Sequence, residues 1–445
     1  MSRLSEHPTV KRHREKAFAR APETSSVDAA WLREVALAAG ADDVGFVEVE
    51  RAEIAAERED IRSLLPEVRT LLSFVCRMNR ENVRNPSRSL ANLEFHHTGD
   101  QVNDVARRIV SALERRGVRA VNPAMGFPME MDRFPEKIWT VSHKPIAVAA
   151  GLGHMGIHRN VIHPLFGNFI LLGTVLIAAK VSAQSEPLDY NPCLDCKLCV
   201  AACPVGAISA DGRFDFSACY THNYREFMGG FTNWVEAIAE SRTPLEYRAR
   251  VSDSESASMW QSLSFGANYK AAYCMSVCPA GEEVIEPFLN DRRAYLSTVV
   301  APLQEKRETV YVLAHSDAES HVGRRFPAKK AKRVSSGLRP RTLQSFLSGL
   351  SLTFQRERSK GIDATYHFSF YGAEERAVTI RIRNQALEVE DGHVGRPDLR
   401  VVADRDTWLG FVAREQNLVW ALLRGKIRLR GSPRHLLAFG RCFPS

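Results

Sequence analysis

The sequence predicts an α+β protein built from several domains. Three observations support this prediction. The first third of the chain alternates helix-like and strand-like segments, the middle concentrates cysteines in motifs that end in Cys-Pro, and the last part alternates strands and helices again. A chain of 445 residues is expected to form about two to four domains.

The composition indicates a globular chain without a membrane span. Hydrophobic residues make up 44% and charged residues 25% of the sequence. The best apolar run, residues 169–179, is too short to cross a bilayer and predicts a core strand or helix. The N-terminus is basic and no apolar run follows it, so we expect neither a secretory signal nor a twin-arginine export signal.

The N-terminal part is predicted to consist of a tail followed by alternating helices and strands. Residues 1–26 are charged and contain two prolines, which predicts a disordered tail. A helix over 29–39 is expected to begin after Asp28 as N-cap and to end at Gly40. The remaining segments predict strands at 44–49, 70–75 and 119–122 and helices at 53–65 and 101–116.

A glycine-rich stretch follows at residues 149–156. Gly151, Gly153 and Gly156 match G-x-G-x-x-G, but a dinucleotide site needs a preceding strand and an acidic residue about twenty positions on, and both are missing. We therefore interpret the stretch as a loop whose backbone must pass close to something flat or bulky. Three histidines of the same region are candidates for a cofactor or proton-transfer role: His154, His158 and His163.

The most specific motif is C-x2-C-x2-C-x3-C-P, formed by Cys193, Cys196, Cys199 and Cys203. In bacterial ferredoxins with this spacing, three cysteines bind one iron–sulfur cubane and the fourth reaches a second one. The alternative is a zinc site or a set of structural thiols, although zinc sites more often use two separated C-x2-C pairs. The spacing predicts an iron–sulfur domain over 183–300. Because such ligands must stay reduced, we expect a cytoplasmic protein.

A second Cys-Pro pair, Cys278-Pro279, predicts that two clusters exchange their fourth ligands. The second cluster is then one thiolate short, since the motif would place its first cysteine at position 271, which is Ala271. Three alternatives stay open: a three-iron cluster, a non-cysteine ligand such as His222, or structural thiols with a single cluster. The first cluster takes Cys193, Cys196, Cys199 and Cys278, and the second takes Cys203, Cys219 and Cys274.

Residues 301–340 predict a connector between two domains. It contains a strand at 310–314, a short helix at 316–322 and a basic stretch at 324–341, which carries part of the net charge of +8. A basic stretch can bind nucleic acid. Here no aromatic residues alternate with the charges to stack on bases, so we interpret the stretch as a solvated linker.

Residues 341–445 predict a small α+β domain of a common size. Strand 364–370 alternates and brings Tyr366, Phe368 and Phe370 to one face. The other predicted strands are 378–382, 386–390, 398–403 and 425–431, and the predicted helices are 342–355, 408–414, 418–423 and 436–439.

Residues 27–290 resemble the family of epoxyqueuosine reductase, a tRNA-modifying enzyme, and its relatives the reductive dehalogenases. The resemblance rests on the segments 150–156 and 163–173, on the cysteine run, and on the later Cys219, Cys274 and Cys278-Pro279. It implies a nitroreductase-like domain at 27–182 that holds cobalamin beside Gly151, Gly153 and Gly156, with two cubane clusters as electron source. The family's catalytic aspartate lies shortly before the glycine loop, where this chain has Lys137.

Residues 341–445 resemble a sterol-carrier-protein-type domain in the segments 398–403, 419–431 and 436–439. Such domains form a tunnel for apolar ligands between a sheet and helices. The resemblance therefore implies an apolar or lipid-like ligand. The alternative is a docking or dimerisation domain with a filled core.

Together these observations predict an iron–sulfur oxidoreductase. Electrons from a ferredoxin or flavodoxin would pass through one or two clusters to a cofactor, cobalamin if the resemblance holds, and to an apolar substrate. Glu136, His143 and His154 are the candidate proton donors. The alternatives are an electron-transfer module without its own substrate chemistry and, not favoured, a tRNA-modifying reductase.

Overall fold

The computed structural model describes residues 2–15, 25–134 and 136–444. The described part of the tail forms two helices, Ser2–Ser5 and Pro8–Glu15. The predicted disorder is therefore wrong for residues 2–15, where Pro8 takes the first helical position that its fixed φ favours. The second of these helices buries no side chain. Residues 16–24, also in the predicted tail, lie outside the described residues.

The N-terminal domain is built on a four-stranded antiparallel sheet. Strand Thr70–Arg77 lies inside the sheet and pairs with Asp43–Glu48 on one side and with Ile170–Ile177 on the other. The short strand Ala120–Val121 closes the second edge against Ile170–Ile177. Seven of the eight residues of Thr70–Arg77 are buried, as expected for a strand that is covered on both faces.

Helices cover both faces of this sheet. On one face Leu72 and Phe74 pack against helices Ala29–Ala39 and Arg88–Arg115. The opposite face packs against helices Arg58–Leu64 and His143–Ala149. The short 3-10 helix Ala52–Ile54 precedes Arg58–Leu64 in the chain. The predicted helix 29–39 is confirmed together with its caps, since the Asp28 side chain accepts a hydrogen bond from the N–H of Trp31 at 2.8 Å.

The long helix Arg88–Arg115 begins well before the predicted start at residue 101. Its first half buries polar side chains, so it lacks the apolar stripe on which the prediction depended. Glu94 is an example: its carboxylate accepts hydrogen bonds from the backbone N–H of Asn79 and the side-chain amides of Asn79 and Asn82. Short helix Arg80–Arg84 packs beside this turn.

The cysteine-rich middle of the chain is mainly helical. Short helices carry the cysteines: Leu198–Ala202 holds Cys199, Phe216–Asn223 holds Cys219, and Tyr273–Ser276 holds Cys274. The other helices here are Gly229–Ala239, Pro244–Arg250, Asp253–Phe265, Glu286–Asn290, Arg292–Tyr295 and Ala301–Glu305, with a π-helical turn at Leu296–Val300.

The connector is an ordered unit and not a solvated linker. Strands Thr309–Val312 and Lys330–Arg333 pair in parallel around helix Asp317–Arg325. Four basic side chains of the stretch bind acidic partners within the chain. These pairs are Lys329–Glu308, Lys332–Glu255, Arg333–Glu319 and Arg339–Glu236, with nitrogen–oxygen distances of 2.6–2.7 Å. The sequence shows the charges but not the acids that face them.

The C-terminal domain has a five-stranded sheet with Ala364–Tyr371 at its centre. This strand pairs antiparallel with Arg376–Arg383 and parallel with Leu399–Asp404. Tyr366, Phe368 and Phe370 are buried on one face, as predicted. The outer strands are Ala386–Asp391 and Ile427–Gly431, and the helices are Leu343–Thr353, Arg405–Val412, Leu418–Leu423 and Pro433–Cys442.

Aromatic side chains fill the centre of this C-terminal domain. Trp408 is 2% exposed, and its ring lies 5.1 Å from that of Phe368 and 5.8 Å from that of Phe346. Among the described residues, no helix has the length and apolar character needed to cross a membrane.

Candidate metal centres

Four cysteines from two separate stretches of the sequence line one small pocket. Three come from the ferredoxin-like run and the fourth from the late Cys-Pro pair. We call this group cluster site one: Cys193, Cys196, Cys199 and Cys278. The structure thus brings together the set of ligands that the exchange of fourth cysteines predicts.

The surroundings of cluster site one disfavour free thiolates, so the thiolate form needs a bound cation. Burial raises the pKa of Cys278 to about 12 and also raises that of Cys199, and the neighbouring cysteines of the site add to both shifts. Without a cation these groups stay protonated at neutral pH. Bound iron would supply the positive charge that keeps them as thiolates.

The spacing of the run distinguishes a cluster from a single ion. Three cysteines with two residues between neighbours, followed by a Cys-Pro pair, are typical of iron–sulfur cubanes, whereas zinc sites more often use two separated C-x2-C pairs. The four cysteines that line one pocket therefore favour an iron–sulfur cubane over the zinc alternative.

Three further cysteines form a second group, which we call cluster site two: Cys203, Cys219 and Cys274. Burial raises the pKa of Cys274 to about 11, and the charge of Cys203 contributes to this shift. Burial also raises the pKa of Cys219, to which both other cysteines add. Cys203 and Cys219 also pack at the same hydrophobic cluster. The helices that carry Cys199 and Cys274 pack against each other, so the two sites are adjacent.

The turn after Cys203 surrounds its sulfur with backbone donors. The N–H of Ala207 donates to Cys203 Sγ at 3.3 Å, and the N–H groups of Val205, Gly206 and Ile208 also act on this thiol. Gly206 has φ of 63°, and a Cβ there would lie 2.7 Å from the ring of His321. The Cys-Pro-x-Gly turn thus holds a compact ring of donors around one sulfur.

A hairpin of the N-terminal domain reaches both cluster sites. Its strands are His154–Met155 and Val161–Ile162, and Ile157 and His158 at its tip line the cavity of cluster site one. On the other side, Asn160 Nδ2 donates to Cys274 Sγ of cluster site two at 3.8 Å. We call residues 154–162 the cluster hairpin.

A lysine and two buried hydrogen bonds hold the cluster hairpin in place. Lys144 Nζ donates to the carbonyl oxygen of Arg159 at 2.6 Å and to Asn160 Oδ1 at 3.2 Å. Nδ1 of the buried His158 accepts from the N–H of Asn160 at 3.1 Å, and its Nε2 faces the side chain of Asn168 at 3.2 Å. The sequence singles out His158 and includes Asn168 in the segment 163–173, whereas Lys144, Arg159 and Asn160 belong to no motif.

The three glycines before and within the hairpin are explained by contacts inside the chain. A Cβ on Gly151 would collide with the carbonyl oxygen of Glu186, and one on Gly153 would lie 2.5 Å from that of Ile162. A Cβ on Gly156 would lie 2.8 Å from Cε1 of His158. The backbone does pass close to a bulky surface, as the sequence predicts, but that surface is the protein itself.

The three candidate proton donors lie in different surroundings. His143 Nδ1 is 2.9 Å from Thr174 Oγ1 and its Nε2 is 3.0 Å from the carbonyl oxygen of Ala124. His154 contacts the neighbouring carbonyl oxygen of Met155 at 3.3 Å. Glu136 is exposed and accepts from Thr342 Oγ1 at 3.2 Å. These contacts do not join the three side chains into one group.

Lys137, which stands where the resembled family has its catalytic aspartate, is part of an ion-pair network. Its Nζ binds Glu57 at 2.6 Å and Asp60 at 2.7 Å. Burial lowers the pKa of Lys137, but hydrogen bonds to Asp60 and Glu57 outweigh burial and raise it overall. This side chain therefore stays cationic and cannot replace an aspartate as an acid–base group.

Comparison with known proteins adds two family matches. Residues 186–209 match the 4Fe-4S binding domain, and residues 350–443 match the SCP-2 sterol transfer family. A 4Fe-4S binding domain is therefore present and covers Cys193, Cys196, Cys199 and Cys203. The predicted sterol-carrier-type resemblance of the C-terminal region is confirmed.

The N-terminal part is similar to epoxyqueuosine reductases. That of Gloeobacter violaceus is 27% identical over 185 residues, which cover 41% of this chain and 54% of that protein. That of Vibrio cholerae is 32% identical over 89 residues, which cover 20% of this chain and 24% of that protein. The predicted resemblance is confirmed, and the chain spans about half or less of the length of these curated relatives.

Solved structures of the same two groups also match. The epoxyqueuosine reductase from Streptococcus thermophilus has a TM-score of 0.31 at 17% identity, with 42% of this chain and 54% of that chain covered. A catabolic reductive dehalogenase in complex with 3-bromo-4-hydroxybenzoic acid has a TM-score of 0.38 at 14% identity, with 66% and 37% covered.

Proposed function

We propose that this chain is an iron–sulfur reductase in which electrons enter at cluster site one, pass to cluster site two and leave toward the N-terminal domain. The 4Fe-4S domain match and the similarity to enzymes named reductases support electron transfer as the core of the activity. When bound, an iron–sulfur cluster supplies one-electron transfer, and the protein tunes its potential through ligands, hydrogen bonds and burial.

The observation that carries this proposal is the cluster hairpin. Its tip lines cluster site one through Ile157 and His158, and Asn160 donates to a cysteine of cluster site two. One rigid element of the N-terminal domain therefore contacts both candidate clusters. Electrons that reach cluster site two have this domain as their immediate neighbour.

Cluster site one suits the role of the electron-accepting end. Cys193 and Cys196 are half-buried, and Leu194 between them is 42% exposed. Cysteine burial does not separate the two sites, because Cys219 and Cys274 are half-buried as well. The exposed Leu194 is the feature that favours cluster site one as the entry point. A ferredoxin- or flavodoxin-type protein that docks at Leu194 would come close to the first cluster, and this is the donor we propose.

Cobalamin stays a prediction of the family resemblance. The glycines expected to cradle it, Gly151, Gly153 and Gly156, pack on the chain's own atoms, so the described residues show no open cradle at this loop. We therefore derive no step through cobalamin. Cobalt quantification after reconstitution with cobalamin tests the prediction directly. The proton-donor roles of His154, Glu136 and His143 likewise stay predictions. For His143 this role requires a rearrangement that frees its ring from Thr174 and from the carbonyl oxygen of Ala124.

An RNA substrate is not part of the proposal. The basic stretch that could hold phosphates has four of its side chains bound to Glu308, Glu255, Glu319 and Glu236. Cations that are already paired release fewer counterions on binding RNA, so their contribution to affinity is small. Lys137, which stands at the position of the family's catalytic aspartate, also argues against an RNA substrate.

The absence of that aspartate also favours the alternative function, an electron-transfer module without turnover of its own.

The contact between the hairpin and cluster site two can be tested with Asn160→Ala. An N–H donor stabilises the negative charge of a reduced cluster, so its loss is expected to lower the reduction potential of the second cluster and to leave that of the first unchanged. Potentiometric titration followed by EPR measures both. Asn290→Ala, at an exposed asparagine, is the control. Equal potentials in the two variants would contradict the proposed path.

A second function, binding of an apolar ligand, is proposed for the C-terminal domain. The SCP-2 match supports it. Because the domain centre is filled by aromatic side chains, the available apolar surface is helix Leu418–Leu423, where Trp420 is 61% and Leu423 is 72% exposed. Burying such side chains under a lipid tail would stabilise the complex by roughly 1.5–3 kcal/mol each.

A fluorescent fatty-acid analogue tests this second function. Replacing both Trp420 and Leu423 with serine is expected to weaken its binding more than tenfold, since about 1.4 kcal/mol corresponds to a factor of ten. Trp260→Ser, which removes another exposed tryptophan, is expected to leave binding unchanged. If the unaltered protein does not bind the analogue, the domain is a docking or dimerisation domain with a filled core.

A further inference from the structure

The segment before Cys278 repeats the second half of the ferredoxin-like run, while Asn268 stands at the position that corresponds to Cys193. Cys199, Cys203 and Pro204 correspond to Cys274, Cys278 and Pro279 at a constant offset of 75 residues, as from Cys203 to Cys278. The turns after the prolines correspond as well, because Gly206 and Gly281 both have positive φ. At this offset Cys196 corresponds to Ala271.

The backbone beside Ala271 keeps the shape of a ligand-bearing turn. Lys197, which follows Cys196, has φ 61° and ψ 13° and directly precedes the helix that carries Cys199. Ala272, which follows Ala271, has φ 55° and ψ 25° and directly precedes the helix that carries Cys274. Left-handed backbone is uncommon for alanine and lysine, so its occurrence at both equivalent positions marks two copies of one cluster-binding turn. The second copy presents a methyl group where the first presents a thiolate.

The surroundings of Ala271 supply no replacement donor in the described contacts. Ala271 is 6% exposed and packs in an apolar cluster with Tyr273 and Val277. Asn223 Oδ1, the polar atom beside it, accepts hydrogen bonds at 3.0 Å from the N–H groups of both Ala271 and Ala272. On the far side of cluster site two, Asn160 turns its N–H toward Cys274 and its oxygen toward Lys144. Both amide oxygens are thus already engaged.

His222, the non-cysteine ligand suggested by the sequence, has the wrong tautomer for this role. It is buried, and its Nδ1 accepts a hydrogen bond from the backbone N–H of Tyr311 at 3.3 Å. A neutral imidazole has one donor and one acceptor nitrogen, so an accepting Nδ1 places the proton on Nε2, a buried atom without a hydrogen-bond partner among the described residues. A metal-bound histidine normally donates from its other ring nitrogen and does not accept there.

We propose that cluster site two holds a three-iron cluster bound by Cys203, Cys219 and Cys274, and that Ala271 is the reason why a fourth iron is not retained. This inference rests on the proposed function, in which cluster site two carries electrons. It goes beyond that function by fixing the type of the cluster and the residue that determines it.

Ala271→Cys provides the test, on the full chain purified and handled anaerobically. The unaltered protein is expected to contain about seven irons, four plus three, and to show in its oxidised form the EPR signal of a three-iron cluster, which an oxidised four-iron cubane lacks. Ala271→Cys is expected to raise the content to about eight irons and to abolish that signal. Ala271→Ser, a control of similar size without a thiolate, is expected to keep the signal.

The other results separate this inference from the proposed function. About eight irons without the oxidised signal in the unaltered protein would overturn the inference, and loss of iron in His222→Ala would then identify histidine as the ligand. About four irons would overturn the inference together with the proposed path through cluster site two, and would leave electron transfer at cluster site one alone. Absence of iron after anaerobic reconstitution would overturn the proposed function itself.

Discussion

Replacing Cys278 with serine is expected to remove the four-iron cluster of site one, although the ferredoxin-like run itself stays intact. Cys278 lines the same cavity as Cys193, Cys196 and Cys199 and completes a set of four thiolates. We expect the variant to lose between about one and about four irons per chain, because the three remaining thiolates hold a three-iron cluster at most. Iron and sulfide quantification, together with the EPR spectrum of the reduced protein, measures the loss.

Cys442→Ala is the matched control for this variant, because Cys442 is also buried but lies in the core of the C-terminal domain. It is expected to keep the full iron content. If Cys278→Ser kept the same iron content as Cys442→Ala, the run 193–203 would bind its cluster without the late cysteine. The assignment of cluster site one would then be wrong.

Replacing Glu308 with glutamine is expected to destabilise the segment that carries Cys274. Lys329 is fully buried, and its ammonium binds Glu308 at 2.7 Å and the carbonyl oxygen of Leu303 at 2.8 Å. The hydroxyl of Tyr273, next to Cys274, donates to the same carboxylate at 2.7 and 2.8 Å. Removing one partner of a buried ion pair leaves an uncompensated charge, which costs about 3–5 kcal/mol.

Urea denaturation under anaerobic conditions measures this loss, and Glu305→Gln at an exposed position is expected to change the free energy of unfolding by less than about 0.5 kcal/mol. The effect also has a pH signature. Burial raises the pKa of Glu308, but the hydrogen bond and charge of Lys329 outweigh burial and hold it below its ordinary value. This stabilisation is therefore present above the unfolded pKa of about 4.3 and is lost as the pH falls through the folded pKa. Glu308→Gln should lack that acid-dependent step.

The sequence predicted the elements that depend on local signals. Helix Ala29–Ala39 has an N-cap at Asp28 and a left-handed Gly40 at its end, and the structure has the predicted bounds. Helix Leu418–Leu423 was likewise predicted residue for residue. In contrast, the first half of helix Arg88–Arg115 escaped prediction because it buries Glu94 and Asn92 in hydrogen bonds. Buried polar residues leave no apolar period to detect.

The candidate site likewise contains residues that the sequence predicts and residues that it does not. The ligand cysteines follow from their spacing, since the geometry of a cubane restricts the chain locally. Lys144, Asn160 and the paired lysines of the connector could not be inferred, because their partners lie far away in the sequence. The left-handed turn that occurs at both Lys197 and Ala272 is a property of the backbone, and it cannot be predicted from a lysine or an alanine. Only the tertiary structure shows that one hairpin touches both cluster sites.

The order of reduction tests the central claim most directly. Reduced ferredoxin is mixed anaerobically with the unaltered protein and with Cys278→Ser, and rapid-freeze EPR follows the cluster of site two. We expect its reduction in the unaltered protein and a loss of at least tenfold in rate when the four-iron cluster of site one is missing, while dithionite, a small reductant, reduces it in both. Equal rates of reduction by ferredoxin in the two proteins would contradict a path that begins at cluster site one.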